Sequence, residues 1–405
     1  MVLKIAWRNI WRNPVRSGVV IMALTIGMYA GVFSTTFMNG WMMQRLRAGI
    51  ETETAHIQIH KPGFEMAEDV NHYFEDEEVL LDNVESIEGV AVASSRIVIS
   101  GMVASAQTAQ GGMVIGVDSE KDTLVVNVSK QLIEGAWLKG IKQNPIVIGK
   151  KLADKLKLKI RSKIIVRFQD YNGDFTGGAF RVTGIYKTIN TAFDETHLFV
   201  NKSDLRRISV LPQGVAHEMV IRCSDPTLVD AVCSKVSAIA GGNKVENWRE
   251  ISPELGYLTE MMSVYMYIFV IIILMALGFG IVNTMLMVVL ERVHELGMLM
   301  AVGMKKERVF IMIMAETIML SGLGGFIGIF LGVLTTKITS VHGINLSMWD
   351  EALSEMGFAS IIYPEYDFKI VATVSILVIL TGVVAAVYPS YKALKLNPSQ
   401  ALQSV

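Results

Sequence analysis

Cysteine is nearly absent from this sequence: its 405 residues include two, Cys223 and Cys233. They can form one bridge at most, so a disulfide-stapled scaffold is excluded and the fold must rest on buried apolar surface. Charge imbalance is missing as well. Thirty-seven basic residues face 38 acidic ones, for a net charge of −1, which removes the broad basic field a nucleic-acid binder needs. No GxxxxGK[ST] stretch occurs; Gly149-Lys150 has neither the preceding glycine spacing nor the following hydroxyl, so the chain has no phosphate cradle of its own for ATP. HExxH and GxSxG are absent too, and His294-Glu295 lacks a second histidine at the required step. No catalytic residue and no metal site is expected.

What the sequence has in quantity is apolar surface. Hydrophobic residues make up 51% of the chain and the mean hydropathy is +0.42, too apolar for an ordinary soluble protein and too polar for spanning helices alone. About 20 apolar residues cross a bilayer core of roughly 30 Å. Residues 17–44, 261–290, 309–338 and 370–391 meet that length, giving a membrane α-helical fold of four transmembrane helices. The run 261–290 overshoots the core and is expected to project from it. Basic residues set the orientation. Lys4, Arg8, Arg12 and Arg16 precede the first span and Lys392 and Lys395 follow the last, whereas the loop 339–369 holds Asp350, Glu351, Glu355, Glu365 and Asp367. Both termini, including the tail 392–405, are therefore cytoplasmic and the acidic loop is outside. The first span is too long for a cleaved leader and reads as an anchor.

Residues 1–16 space their cations four apart with Trp7 and Trp11 beside them, the pattern of an interfacial helix. Residues 45–260 form the only stretch able to build a soluble core, and its strands and helices mix without a βαβ rhythm, so a large α+β extracytoplasmic domain is expected. "AHIQIH" alternates with period two, which predicts a strand with Ile57 and Ile59 inward and His56, Gln58 and His60 on a solvated face. Those histidines lie near Glu51 and Glu53, but no third ligand is fixed by spacing, and the solvated face is the preferred reading. Cys223 and Cys233, ten residues apart across a strand end and a helix, are candidates for a disulfide outside the cytoplasm.

Within the spans, Gly27 and Gly31 form one GxxxG and Gly324, Gly328 and Gly332 extend another, spacings that let helix backbones approach where lipid gives no hydrophobic drive. Glu316 is an intramembrane charge two turns from the cytoplasmic end, to be satisfied by Arg308 or a neighbouring helix in a structural or coupling role. Between the second and third spans, the coupling segment 291–308 lies within "ERVHELGMLMAVGMKKERV" (residues 291–309), an amphipathic stretch that keeps Val293, Leu296, Leu299, Met300 and Val302 near helical spacing. Its apolar face needs a protein groove or a membrane surface. Methionine, with 24 residues, is abundant in and beside the spans and suits surfaces that re-pack.

That segment resembles the coupling helix of type VII ABC permeases, the MacB/LolE/FtsX superfamily. Other landmarks agree in order: "AWRNIWRNPVRS", "MNGW", "PIVIGKKLADKLKLK", "FRVTGIY", "AETIMLSGLGGFIGIFLG" and "YPSYKALKLNPSQAL". The resemblance is greatest to LolC/LolE lipoprotein-releasing permeases. It implies a MacB-like periplasmic domain, a bacterial inner-membrane location, and a mechanotransmission subunit without enzymatic activity. Pairing with a second copy or a paralogous permease is implied, as are contacts with membrane lipids but not nucleic acid. ATP and Mg would be bound by a separate ABC ATPase, with no cofactor in this chain. Carried over by position, Glu291, Arg292, Glu295, Gly297, Ala301 and Gly303 would contact that ATPase. The loop 170–179, with Asp170, Tyr171, Asp174 and Phe175, stands where a carrier-recruiting hairpin occurs, and it is short. Lipoprotein cargo and a periplasmic carrier are the implied partners. The alternatives are a MacB-like exporter of peptides, toxins or small molecules, and an FtsX-like regulator of a cell-wall hydrolase.

Overall fold

Proline at the first helical position and long charge-free runs without internal breakers favour helices that continue well past a bilayer's thickness. In the computed structural model, which describes residues 2–12, 14–64, 69–140 and 144–394, α1 (Val2–Arg12) leads into α2 (Pro14–Ala48). At about 1.5 Å per residue α2 runs for roughly 50 Å. A π-helical stretch, Gly49–Thr54, ends it. Then follow β1 (Ile57–His60), α3 (Glu77–Glu85), β2 (Val90–Ala104), β3 (Ala109–Val117), α4 (Asp122–Val125), β4 (Leu132–Gly135), β5 (Pro145–Gly149), α5 (Lys150–Lys155), β6 (Lys163–Gln169) and β7 (Phe175–Tyr186). After these come α6 (Thr191–Thr196), β8 (His197–Asn201), α7 (Lys202–Ser209), β9 (Glu218–Cys223), α8 (Val229–Ile239), β10 (Lys244–Asn247) and α9 (Trp248–Ile251). The chain closes with α10 (Pro253–Glu291), α11 (Val293–Ala301), α12 (Lys306–His342), β11 (Ile344–Asn345), α13 (Asp350–Glu355), β12 (Ile361–Ile362) and α14 (Phe368–Leu394). The side chains of Lys4 and Arg16, and the tail from residue 395 onward, lie outside the described residues.

The chain divides into two units. One holds residues 1–43, 261–345 and 361–405, and the other residues 44–260 together with 346–360. The expected outer loop 339–369 is thus split, its middle belonging with the extracytoplasmic domain: Lys187 Nζ reaches Asp350 Oδ2 at 3.2 Å and Ser360 Oγ donates to Asp350 Oδ1 at 2.7 Å.

In the membrane unit, α2, α10, α12 and α14 are, among the described residues, the four helices long and apolar enough to cross a bilayer. Their shared core contains Leu24, Met28, Ile281, Met285, Leu320 and Val378. The short α1 is seated in the same core through Ile10, which is 1% exposed, while Trp7 and Trp11 stay outward with their rings edge to face at 5.9 Å. That half-in, half-out arrangement suits an interfacial helix.

The second unit is α+β. Its ten strands run β10-β1-β9-β2-β3-β8-β5-β7-β4, with β6 pairing both β2 and β7. The β3–β8 and β5–β7 pairs are parallel and the rest antiparallel. Helices α3 and α8 cover Ile57, Ile59, Met219 and Ile221 through Leu80, Val84, Val232 and Val236. Each such fully buried aliphatic contributes about 1.5–3 kcal/mol.

The solvated face expected for β1 is not found. β1 lies between β9 and β10, and His56, Gln58 and His60 are buried. Each has a partner instead of water: His56 Nδ1 accepts from the Cys223 N–H at 3.1 Å, Gln58 Nε2 donates to Thr54 O at 2.7 Å, and His60 Nε2 lies 3.6 Å from Glu218 Oε2. The disulfide is corrected too, since Cys223 and Cys233 are free thiols packed in one apolar cluster. Burial pushes the Cys223 thiol up to about 11, which leaves little reactive thiolate.

Candidate coupling site

The helix α10 stops at Glu291 because Arg292 leaves the helical region, with φ −103° and ψ 15°, and so becomes the N-terminal cap position of α11. Gly303 closes α11 at its other end. Its φ is +101°, its N–H donates to Met300 O at 3.1 Å, and the Met304 N–H donates to Leu299 O at 3.0 Å, the paired bonds of a Schellman cap. Nothing lies within 4 Å of a Cβ placed on Gly303, so within the chain glycine is required there by backbone conformation rather than by close approach. The helix α12 then begins at Lys306.

Four charged side chains from three helices meet at this short connection. Arg292 Nη1 donates to Glu316 Oε2 at 3.1 Å and to Oε1 at 3.3 Å. Arg292 Nε donates to Glu295 Oε2 at 3.1 Å, and Glu295 also accepts from Arg12 on α1. The Arg292–Glu316 end is buried, the two side chains being 10% and 8% exposed, whereas Arg12 and Glu295 are about half exposed. The Arg12 hydrogen bond, aided by Arg292, holds the Glu295 carboxyl below the ordinary range. Solvent screening leaves that outer pair a small contribution. The inner pair is different, because either charge stranded alone would cost several kcal/mol. Glu316 is thus satisfied by Arg292 rather than Arg308, which sits two turns earlier on the same helix.

Of the residues assigned to ATPase contact, Arg292 and Gly297 are buried, Glu295 is half-exposed, and Glu291, Ala301 and Gly303 are exposed. Beside them Leu296 is buried, His294 and Met298 are exposed, and Val302 is 90% exposed. Val302 falls outside the helical stripe expected of it because the chain has already left α11 at its C-terminal cap. Sequence reasoning missed Met298 and Val302 as an outward apolar tip, although methionine followed four residues later by valine on a helix preceding Gly303 carried the signal.

Above the ion chain, α12 lies against α2 along the glycine triple. A Cβ on Gly324 would meet Leu24 Cβ at 2.7 Å, one on Gly328 would meet Met28 Cβ at 2.6 Å, and one on Gly332 would meet Val32 at 2.9 Å. The Thr25 hydroxyl donates to Gly324 O at 3.2 Å, and the Thr36 and Thr336 hydroxyls are 2.8 Å apart. The first-span pair looks elsewhere: Gly27 faces Leu277 of α10 and Gly31 faces Val374 of α14.

Two further features bear on what the unit can hold. Tyr29, Phe33, Phe37 and Trp41 form a ladder along α2 with centroids 5.8, 6.4 and 6.1 Å apart. Phe33, Phe37 and Met38 face Met266 and Phe269 of α10 across an apolar cavity of about 350 Å³. In the extracytoplasmic unit the loop 170–179 is a tight hairpin tip: Asp170 Oδ1 accepts from the Asn172 and Asp174 N–H groups at 2.9 and 3.1 Å. Asp170 is buried, Tyr171 is exposed and Phe175 is 93% exposed.

Comparison with known proteins gives this arrangement a context. The model of the MacB-like periplasmic core domain matches residues 17–239, and that of the FtsX-like permease C-terminal domain matches residues 267–398. Lipoprotein-releasing system transmembrane protein LolC of Buchnera aphidicola is 23% identical over 94% of this chain and 92% of its own length. LolE of Haemophilus influenzae is 22% identical over 95% and 93%. The macrolide export ATP-binding/permease protein MacB of Bdellovibrio bacteriovorus is 31% identical over 42% of this chain and 23% of that longer protein. A multi-pass bundle, an α+β domain inserted after the first span, and two family matches that together run from residue 17 to residue 398 lead to one conclusion: the chain belongs to the MacB/LolE/FtsX superfamily of ABC transporter permeases.

Proposed function

We propose that this chain is the mechanotransmission subunit of an inner-membrane ABC transporter that extracts lipoproteins, driven by a separate ATPase that docks on the outward tip of α11. The observation that carries this reading is the continuous ion chain Arg12–Glu295–Arg292–Glu316, which ties the docking segment to the spanning helix α12. A force on α11 then reaches α12 through the buried Arg292–Glu316 pair. The apolar cavity between α2 and α10 supports lipoprotein as cargo, because a pocket of Phe and Met side chains accepts acyl chains of varied length. ATP and Mg belong to the partner in this reading, and the permease contributes binding and motion.

The MacB-like exporter is the second reading. The core-domain match to residues 17–239 favours it, as does the tight turn at Asp170–Asp174 where a carrier-recruiting hairpin would be longer. Mass spectrometry of what co-purifies with the tagged protein from native membranes separates the two. An ATPase together with triacylated lipoproteins is the expected result. An ATPase with an adaptor and no lipoprotein would overturn lipoprotein release, and a cell-wall hydrolase as the sole partner would overturn transport.

A further inference from the structure

Charge is unevenly spread over the extracytoplasmic domain. Residues 150–163, "KKLADKLKLKIRSK", carry six lysines and one arginine against a single acid, Asp154, in a chain that is nearly neutral as a whole. Asp154 is taken by Lys150 at 2.7 Å, and Lys155 engages Glu195. The remaining cations are set outward by the way the stretch folds. Leu156 and Leu158 turn into the core, the backbone is left-handed at Lys157 and Arg161, and Lys157, Lys159, Arg161 and Lys163 are exposed.

Strand pairing then concentrates this charge. Lys163 lies directly opposite Arg181 in the β6–β7 ladder, which sets their Cβ atoms about 5 Å apart on one face. The Arg161 N–H donates to Val182 O at 2.8 Å, so a third cation adjoins the pair. Neither β6 nor β7 contains a carboxylate, and of the strands beside them β2 and β5 contain none either. The acid on β4, Glu134, stands opposite Ile185, four residues and about 13 Å along β7 from Arg181. Arg161, Lys163 and Arg181 are all exposed, and among the described residues none of the three has a side-chain hydrogen bond or ion pair. Like charges opposite each other weaken a sheet, and nothing in the neighbouring strands offsets them here.

We propose that Arg161, Lys163 and Arg181 form a docking site for a phosphate-bearing ligand on the exposed face of the β6–β7 pair. Two guanidinium forks and an ammonium match the several oxygens and multiple charge of a phosphate group, whereas one carboxylate would leave most of this charge unpaired. A phosphate held between Lys163 and Arg181 turns their mutual repulsion into attraction to a shared anion, so binding also stabilises the fold. Lys157 and Lys159 add to the field that draws an anion in. The same chemistry is offered by a soluble phosphate compound and by a lipid headgroup. The inference makes no assumption about what the spans move.

The test uses the full chain in phosphatidylcholine nanodiscs at about 0.15 M salt, where diffuse surface attraction is screened. Sodium tripolyphosphate, titrated by calorimetry, should bind saturably at about 1 mM or tighter and raise the melting temperature. Lys163→Glu places unlike charges opposite each other, so without tripolyphosphate its melting temperature should equal or exceed that of the parent, while binding weakens about tenfold or more. Arg181→Gln should weaken binding likewise with no loss of stability. Flotation of the nanodiscs with phosphatidylcholine vesicles, with and without phosphatidylglycerol, reads the source: flotation that needs both phosphatidylglycerol and Lys163 assigns a lipid phosphate, and tripolyphosphate binding without flotation assigns a soluble one. Equal binding of a glutamate pentapeptide would reduce the effect to bulk charge and overturn the phosphate site. Absence of tripolyphosphate binding would overturn it too, as would a Lys163→Glu variant that binds unchanged or melts at a lower temperature.

Discussion

Removing the buried Arg292–Glu316 pair in two ways separates its part in stability from its part in force transmission. With 3.1 Å between the charged atoms and an effective dielectric near 20, the attraction is roughly 5 kcal/mol, most of it offset by the desolvation of both groups. Arg292→Met alone leaves the Glu316 carboxyl among apolar neighbours and should cost about 3–5 kcal/mol. Arg292→Met/Glu316→Leu removes the stranded group as well and should return stability to within about 1 kcal/mol of the original. Thermal unfolding in nanodiscs reads the first comparison. ATP-driven transport with the partner ATPase reads the second, and there the double variant should hydrolyse ATP without performing work, because α11 no longer grips α12. A single variant as stable as the parent would show that solvent reaches the pair. A stable double variant with full transport would refute the ion chain as the transmitting element.

Other consequences follow from the same geometry. Gly328→Leu places a Cβ 2.6 Å from Met28 Cβ and 2.7 Å from Thr25 O, so α2 and α12 must part by about 1 Å, and the melting temperature should fall by the equivalent of about 1–3 kcal/mol; no change would show that the seam already yields. Burial raises the Asp194 carboxyl to about 7 in spite of its hydrogen bonds from Thr188. Because that value lies above the unfolded 3.8, the stability it contributes is complete below pH 3.8 and is lost as pH rises through about 7, an effect of order 4 kcal/mol. His217 works in the opposite direction: burial depresses it to about 4 from 6.5, so its contribution is complete above pH 6.5 and is lost as pH falls through about 4. Over pH 5 to 8.5 the part of the extracytoplasmic domain's stability set by Asp194 should therefore fall up to about pH 7 and level off above it, and Asp194→Asn should remove that fall from the melting profile; an unchanged profile would show that Asp194 is not its source. Met266→Trp fills the cavity between α2 and α10 and should abolish lipoprotein extraction while ATP hydrolysis continues, and normal extraction would remove the cavity from the cargo path.

The spans were legible because absence of charge over about 20 residues has one common physical meaning, and the mixed strand and helix patterns of 45–260 correctly announced an α+β domain. The site was only partly legible. The spacing of Gly324, Gly328 and Gly332 reads as close packing, but nothing local says that the partner is α2. Glu316 asks for a cation, and proximity in sequence offered Arg308. Eight residues along one helix set two side chains about 12 Å apart in height, beyond reach, whereas the break at Arg292 swings its guanidinium across to α12. The same limit explains β1. Alternation identified a strand, yet His56 and His60 find their partners on β9, more than 150 residues away, and a polar residue with a distant partner looks in sequence like a solvated one.

Both devices sit on α12, and this has a mechanical consequence. At its cytoplasmic end Glu316 binds Arg292 and, through Glu295, Arg12; from Gly324 to Gly332 it is pressed against α2 at distances that leave no room to slide. Separating the ion pair would expose a buried charge, and shearing the seam would drive Cβ atoms into backbone, so small displacements of α11 carry α1, α2 and α12 together. The helix α10 is held differently. Only 17% of its most apolar window is buried, against 33–39% for the other three spans, and Gly27 meets it through the tip of Leu277 rather than through backbone. It also ends at Glu291, just before Arg292 leaves helical geometry. A load applied at α11 therefore changes the gap between α10 and the α2–α12 pair at lower cost than it deforms the pair itself, and the apolar cavity lined by Phe33 and Met266 lies in that gap.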